Sequence, residues 1–142
     1  MLQQARHRLT VDTTGSGFTD VTAAVAGWLS SIGAGEGLLT LFIRHTSASL
    51  TSQENADPDV LRDLLEALER AAPRKARYRH SIEGPDDMPA HIKSMLTSAT
   101  LGVPVVAGRA ELGTWQAIYL IEHRDRPHLR EIILHYLGTL RE

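Results

Sequence analysis

The chain has 142 residues, 42% of them hydrophobic, and a formal net charge of −2. That length is typical of one core and can hide roughly 68–70% of the unfolded chain's surface, so a single domain over residues 1–142 is expected. The charge balance excludes a general nucleic-acid binder, which needs a basic face, and the absence of cysteine excludes disulfides and thiolate metal sites, leaving His, Asp and Glu as ligands.

In chain order, RHRLTVDT alternates and predicts a first strand. TTGSGFTD reads as a turn, with Thr19 or Asp20 capping a helix that carries Val21, Val25, Trp28, Leu29 and Ile32 at helical spacing. GAGEG ends it. LLTLFIRH then predicts a strand with Leu39, Leu41, Ile43 and His45 on one face. The polar stretch HTSASLTSQENADPD follows, either a long capped turn or one wall of a site. Asp57-Pro58 predicts a helix start, an acidic cap followed by proline at the first helical position. Val60, Leu61, Leu64, Leu65 and Leu68 form that helix's apolar stripe, and Pro73 closes it. RKARYRHSIEGPDD reads as a loop and MPAHIKSMLTSATLG as a third helix, with Pro89 tolerated in its first turn. VPVVAG predicts a short strand and ELGTWQAIYLIEHR a longer one. In the latter Trp115, Ala117, Tyr119, Ile121 and His123 alternate with Gln116, Ile118, Leu120, Glu122 and Arg124. The closing HLREIILHYLG fits a helix or a strand equally. Interspersed strands and helices with a hairpin-like end favour α+β with a largely antiparallel sheet. The start, MLQQARHRLTVDT, has no apolar signal-peptide core, and no apolar run approaches the ~20 residues of a membrane span. A cytoplasmic protein with no membrane or nucleic-acid partner is expected.

Seven histidines are the main chemical resource. His7, His128 and His135 have no neighbouring chemistry. His45, His80 and His91 could make a three-nitrogen metal site with Asp87, which lies four residues before His91 and on nearly the same helix face. No HxH or HExxH spacing supports that set, and each histidine fits a hydrogen-bonded structural role equally well. Glu54 is a general base or a partner for loop N–H groups, while Asp57 is a cap. Lys93 and Ser94 lie near the third helix's N-terminal turn, where N–H groups and the dipole favour anions such as phosphate. GSGFTD lacks the remaining residues of a phosphate loop. Trp115 reads as core, and Gln116 contacts a ligand or water. Ser47, His45 and Glu54 are the residue types of a hydrolase triad, but no GxSxG elbow presents them.

Three blocks add more than spacing can. HTSASLTSQENADPDVLRDLLEAL, YRHSIEGPDDMPAHIKSML and VPVVAGRAELGTWQAIYLIEHR closely resemble the YjbQ family, some of whose members are labelled secondary thiamine-phosphate synthase. The resemblance runs from the first strand to REIILHYLG. It implies an α+β fold with a sandwich-like, mostly antiparallel sheet, about three helices, a closing strand and a homotrimer. It places a site where the blocks converge, across a subunit interface in one arrangement. Carried over by position, the site residues are His45, Thr46, Ser47, Glu54, Asn55, Asp57, His80, Asp87, His91, Lys93, Thr114, Gln116, His123 and Arg124. Ala117 stands where the family usually has glycine, and Ala110-Glu111 where it has a more apolar pair.

Three functions follow as expectations. The first is a thiamine-phosphate-synthase-type transferase, joining a pyrimidine methyl pyrophosphate to a thiazole phosphate and expelling pyrophosphate. Its chemistry calls for cations, N–H donors and a divalent metal, zinc or magnesium, around the phosphates. His45, Glu54, His91 and Lys93 would then be catalytic, and Thr46, Ser47, Asn55, Ser94, Thr114, Gln116, His123 and Arg124 would bind substrate. The second is a metal-dependent hydrolase in which His45, His80, His91 and Asp87 hold zinc and Glu54 activates water. The third is a non-catalytic binder of a small phosphorylated metabolite.

Overall fold

The computed structural model describes residues 1–142. Its elements are β1 (Gln3–Asp12), β2 (Gly17–Asp20), α1 (Thr22–Ser31), β3 (Ala34–Ile43), β4 (Ala48–Glu54), α2 (Pro58–Ala71), α3 (Asp87–Leu96), β5 (Thr100–Val106), β6 (Arg109–Ala110), β7 (Gln116–Glu122) and β8 (Leu129–Leu140). Every strand pairing is antiparallel. The strands make a five-stranded sheet ordered β1-β8-β3-β5-β6 and a three-stranded sheet ordered β2-β7-β4. The architecture is α+β with three helices, and the closing segment is a strand. No helix is long and apolar enough to cross a membrane.

Alternation decides what each sheet buries. On β3, Leu39, Leu41 and Ile43 stand opposite Tyr136, Leu134 and Ile132 of β8, and all six are buried. Leu50 of β4, Ile118 and Leu120 of β7, and Val25 and Leu29 of α1 belong to the same 17-residue core. Each large side chain buried there contributes roughly 1.5–3 kcal/mol. The alternate residues of the large sheet point outward, and nothing in the chain covers them. Leu38, Phe42, Val106 and Leu137 are between 43% and 47% exposed.

The termini of α2 follow the sequence directly. Asp57 accepts a hydrogen bond from Asp59 N at 2.9 Å, with Pro58 in the first turn. Other local expectations change. Residues 17–20 form a strand against β7 rather than a turn, and α1 is capped at Val21 without a side-chain bond. Asp20 instead accepts from Thr22 N at 2.9 Å. The polar stretch after His45 is mostly β4. Its core-facing residues are the small Ala48 and the single Leu50, so the alternation is faint, and Ser and Thr fill the rest of an edge strand. The third helix stops at Leu96, and Thr100–Gly102 open β5 instead. Trp115, expected in the core, precedes β7 and is 64% exposed.

Gly37 and Gly138 face each other across β3 and β8. A Cβ on Gly138 would stand 2.3 Å from the Glu36 carbonyl oxygen and 2.5 Å from the Tyr136 hydroxyl. That hydroxyl passes through the gap to donate to the Thr139 carbonyl at 2.8 Å. Gly138→Ala should therefore cost about 3 kcal/mol through overpacking, against about 1 kcal/mol for Asp57→Ala through loss of a cap. Urea unfolding of the two variants measures both, and the opposite ranking would contradict this packing.

Candidate functional site

Two imidazoles meet one buried carboxylate at the start of α3. Asp87 is 2% exposed. Its Oδ2 lies 2.5 Å from His80 Nε2 and 3.0 Å from His91 Nε2. The four-residue spacing of Asp87 and His91 sets them on one helix face, and His80 arrives from the segment between α2 and α3. The other carboxylate oxygen, Oδ1, accepts from Arg124 Nη1 at 2.8 Å. Arg124 also donates from Nε to Asp86 at 2.9 Å. Burial pushes both carboxyls up, but hydrogen bonds outweigh it. Asp87 is held below the usual carboxylate range by the His80 hydrogen bond foremost, then by Glu83 and by the charges of His91 and Arg124. Asp86 is held at about 2 by Arg124 and the Asp125 N–H.

The tautomer of His91 gives this cluster its meaning. Its Nδ1 lies 2.9 Å from the Thr46 carbonyl oxygen, which can only accept, so Nδ1 carries a proton. With Nδ1 so committed, Nε2 meets the Asp87 carboxylate either through a second ring proton, as an ion pair, or through a cation between the two. One potential ligand atom from each of His80, Asp87 and His91 lies within 4.8 Å of the others. The surroundings match those of metal sites, where a ligating histidine gives its other N–H to a carbonyl and a ligating carboxylate is held by a further donor. Two imidazoles and one carboxylate suit zinc better than magnesium, which prefers an all-oxygen shell.

Beside His91 a cleft of about 760 Å³ opens between α3, the 44–47 connection and β8, its wall including Arg44, His45, Thr46, Ser47, Ser94 and Arg130. Arg130 is 4% exposed. It pairs with Glu122 through Nε at 2.8 Å and through Nη2, and Nη2 also reaches Ser47 Oγ at 3.0 Å. Its Nη1 has no partner in the chain. Glu122 is fully buried, which pushes its carboxyl up, but Arg130 and the Thr13 hydroxyl outweigh that and lower it. His45 Nε2 accepts from Glu131 N at 2.8 Å. Burial, and then the Arg130 charge, lowers its pKa, so the ring is neutral with its proton on Nδ1. His45 is thus a hydrogen-bond donor on the cleft wall. An Nδ1–H ligates no metal, and His45 does not join His80, Asp87 and His91 as the sequence suggested.

The other expected residues divide. Thr46 supplies the carbonyl for His91, Ser47 supports Arg130, and Ser94 lines the cleft while donating to the Ala48 carbonyl at 3.3 Å. Arg124 orients Asp87 rather than meeting the cleft. Lys93 and Ser94 fall late in α3, whose N-terminus is occupied by Asp86 and Asp87, so the expected phosphate site at that terminus is absent. Lys93 is buried and donates to Glu69 at 2.9 Å. With His123 it borders a separate cavity of about 220 Å³. Glu54 and Asn55 lie at the far end of β4. Ala48 pairs with Glu122 but Glu54 with Gln116, and six residues of strand span roughly 20 Å. Within the chain, Glu54, Asn55, Thr114 and Gln116 therefore do not converge with the histidines. Glu54 accepts from Asp57 N at 3.1 Å, and Gln116 from Gly113 N at 2.9 Å. Arg130 was not among the residues expected in the site. Its signal was a charge on the inward side of an alternating strand, in line with Ile132, Leu134 and Tyr136, where only a paired charge is tolerated.

A sequence profile described as UPF0047 protein YjbQ-like matches residues 7–139. The chain belongs to the YjbQ family. It is 48% identical over 139 residues to a UPF0047 protein of Synechocystis sp., covering 97% of this chain and 95% of that one. Among solved structures it is similar to a conserved hypothetical protein of Thermus thermophilus, with a TM-score of 0.79 at 38% identity over 95% of this chain and 99% of that one. A YbjQ-like protein of unknown function from Sulfolobus solfataricus shares the fold, with a TM-score of 0.90 at 21% identity over 98% of this chain and 100% of that one. None of these relatives is named for an activity.

His123 makes part of this region pH-sensitive. It is 2% exposed, with Nε2 2.8 Å from Ser49 Oγ. Burial, and then the Lys93 charge, lowers its pKa from 6.5 to about 4. Between those values the unfolded chain binds the proton more readily than the fold. The contribution is therefore complete above the unfolded pKa and is lost as pH falls toward the folded one. Through His123 alone the unfolding free energy should drop by on the order of 2–3 kcal/mol between about pH 7 and pH 4, in addition to what the lowered carboxyls lose. His123→Gln should flatten that drop in urea titrations, and an equally steep drop in the variant would contradict the assignment.

Proposed function

We propose that the protein is a metal-dependent enzyme acting on a small phosphorylated metabolite, with zinc held by His80, Asp87 and His91. The observation that carries this reading is the convergence of two imidazole Nε2 atoms on one oxygen of a buried carboxylate, with His91 Nδ1 committed to a backbone carbonyl. A zinc ion there would supply Lewis acidity and a bound water of lowered pKa. The chain's own residues do the rest. His80, Asp87 and His91 are three ligands, the number that leaves a catalytic zinc an open position. Arg124 fixes the carboxylate, and Thr46 fixes the imidazole. Across the cleft, Arg130 Nη1, Arg44 and the His45 Nδ1–H offer donors to anionic oxygens, where charge-assisted bonds are strongest.

A thiamine-phosphate-synthase-type transfer is a second reading of the same parts. The cleft's volume and its row of donors suit a substrate whose leaving group is pyrophosphate, and hydrolysis of a phosphate ester needs the same neutralisation of charge.

Self-association belongs to the proposal as well. The outward face of the five-stranded sheet sets Leu38 beside Leu137 and Pro104, and Phe42 beside Ile133. An uncovered apolar row of this kind suits an interface between copies, and the family resemblance points to three.

Two measurements test the proposal. Protein purified without chelators should carry one zinc per chain. His80→Ala or His91→Ala should weaken its binding by about 100-fold or more, since changes to mere supporting partners already cost 10–100-fold, while Glu54→Ala should leave it unchanged. Zinc-loaded protein should release phosphate or pyrophosphate from a panel that includes the pyrimidine pyrophosphate and thiazole phosphate pair. Absent zinc uptake, or uptake indifferent to His91→Ala, would overturn the reading. In sedimentation the wild type should run as a trimer and the Phe42→Glu, Leu137→Glu double variant as a folded monomer. A monomeric wild type would refute the interface.

A further inference from the structure

A second pocket, of about 480 Å³, lies between α1 and the β5–β6 turn, within the size range of small-molecule sites. Val25, Leu112 and Ile118 form an apolar floor, and Arg109 and Arg141 stand at the rim. No acidic residue lines it. Neither guanidinium makes an ion pair or a side-chain hydrogen bond within the chain, so two rigid, planar sets of donors are left for a ligand.

The surroundings of those arginines are constructed rather than incidental. Val105 pairs with Ala110 and Val106 with Arg109, leaving Ala107-Gly108 as a two-residue turn. Both residues have positive φ, 51° and 77°. Such a turn commonly uses Asn-Gly or Gly-Gly, and an alanine in this conformation carries local strain that the surroundings must hold. Glu36 holds it by accepting from Ala107 N at 3.0 Å, and Gly108 N donates to the Gly35 carbonyl at 3.0 Å. A Cβ on Gly108 would lie 2.7 Å from the Ala34 carbonyl oxygen and 3.4 Å from Arg141 Nη2. The missing side chain is what lets the turn pack on the Ala34 carbonyl, with the Arg141 guanidinium in contact range beside it. Arg141 is itself anchored, its N–H donating to the Gly33 carbonyl at 2.6 Å.

We propose that this pocket binds a carboxylate carried on an apolar body, with Arg109 and Arg141 holding the carboxylate and Val25, Leu112 and Ile118 the body. Guanidinium matches a carboxylate's two oxygens bidentately, and an apolar floor without acidic groups disfavours cations and highly polar anions. The pocket does not share a residue with the cleft beside His91, so this site stands whether or not the zinc reading does.

Methyl-labelled NMR of the full chain, titrated with sodium octanoate and separately with octan-1-ol, tests it. Octanoate should shift the Val25, Leu112 and Ile118 methyls saturably and bind about tenfold more tightly than the alcohol, the value of one charge-assisted pair. The Arg109→Ala, Arg141→Ala double variant changes two exposed side chains and should keep the wild-type spectrum elsewhere while losing that advantage. His91→Ala should leave octanoate binding unchanged. The proposal is overturned by equal affinity for acid and alcohol, by full affinity in the double variant, by shifts at the Ile43 end of the other cleft instead, or by no shift up to about 10 mM.

Discussion

A carboxylate buried as deeply as that of Asp87 must be answered on both oxygens, because an ionised group without partners is among the costliest things a fold can bury. Arg124 answers one oxygen. The other meets two imidazole Nε2 atoms, those of His80 and of His91, whose Nδ1–H is given to the Thr46 carbonyl. The arrangement ties the start of α3, the preceding segment, the connection between β3 and β4, and the end of β7 to a single point. The cleft takes its shape from the same ties, since Thr46 and His91 are both in its wall.

A second buried charge pair braces the floor. Glu122 ends β7 and Arg130 starts the inward row of β8, so their pairing joins the three-stranded sheet to the five-stranded one where the hydrophobic core gives out. Breaking such a pair from one side strands the remaining charge and costs about 3–5 kcal/mol. The pair leaves one guanidinium nitrogen of Arg130 free, so the group that closes the core is also one that can meet a ligand.

Much of the fold was legible in the chain. The inward rows of β3 and β8 are strict alternations of large apolar residues, and Asp57-Pro58 announces α2 through its cap chemistry. Segments 17–20 and 48–54 were hidden for one reason: their inward residues are small or few, so the period of two has little amplitude. Pairing with β7, a long-range event, makes them strands. The candidate site was legible in pairs. Asp87 and His91 share a helix face by spacing, whereas His80 joins them only through tertiary folding. From the sequence His45 resembles a fourth ligand because it is a histidine at a strand end. Its Nε2 is in fact spent on the Glu131 N–H, a contact no local pattern encodes. Glu54 and Gln116 sit in matching blocks of the family, yet the length of β4 holds them at the opposite end of the sheet within one chain.

Nitrogen-15 spectroscopy of the histidine rings in zinc-loaded protein separates a metal centre from a hydrogen-bonded cluster. His91 should be protonated on Nδ1 and ligated through Nε2, with His80 ligated through Nε2 and His45 unligated with its proton on Nδ1. A His91 ring that binds zinc through Nδ1, or that keeps its free-ring signature when zinc is present, would contradict the metal centre.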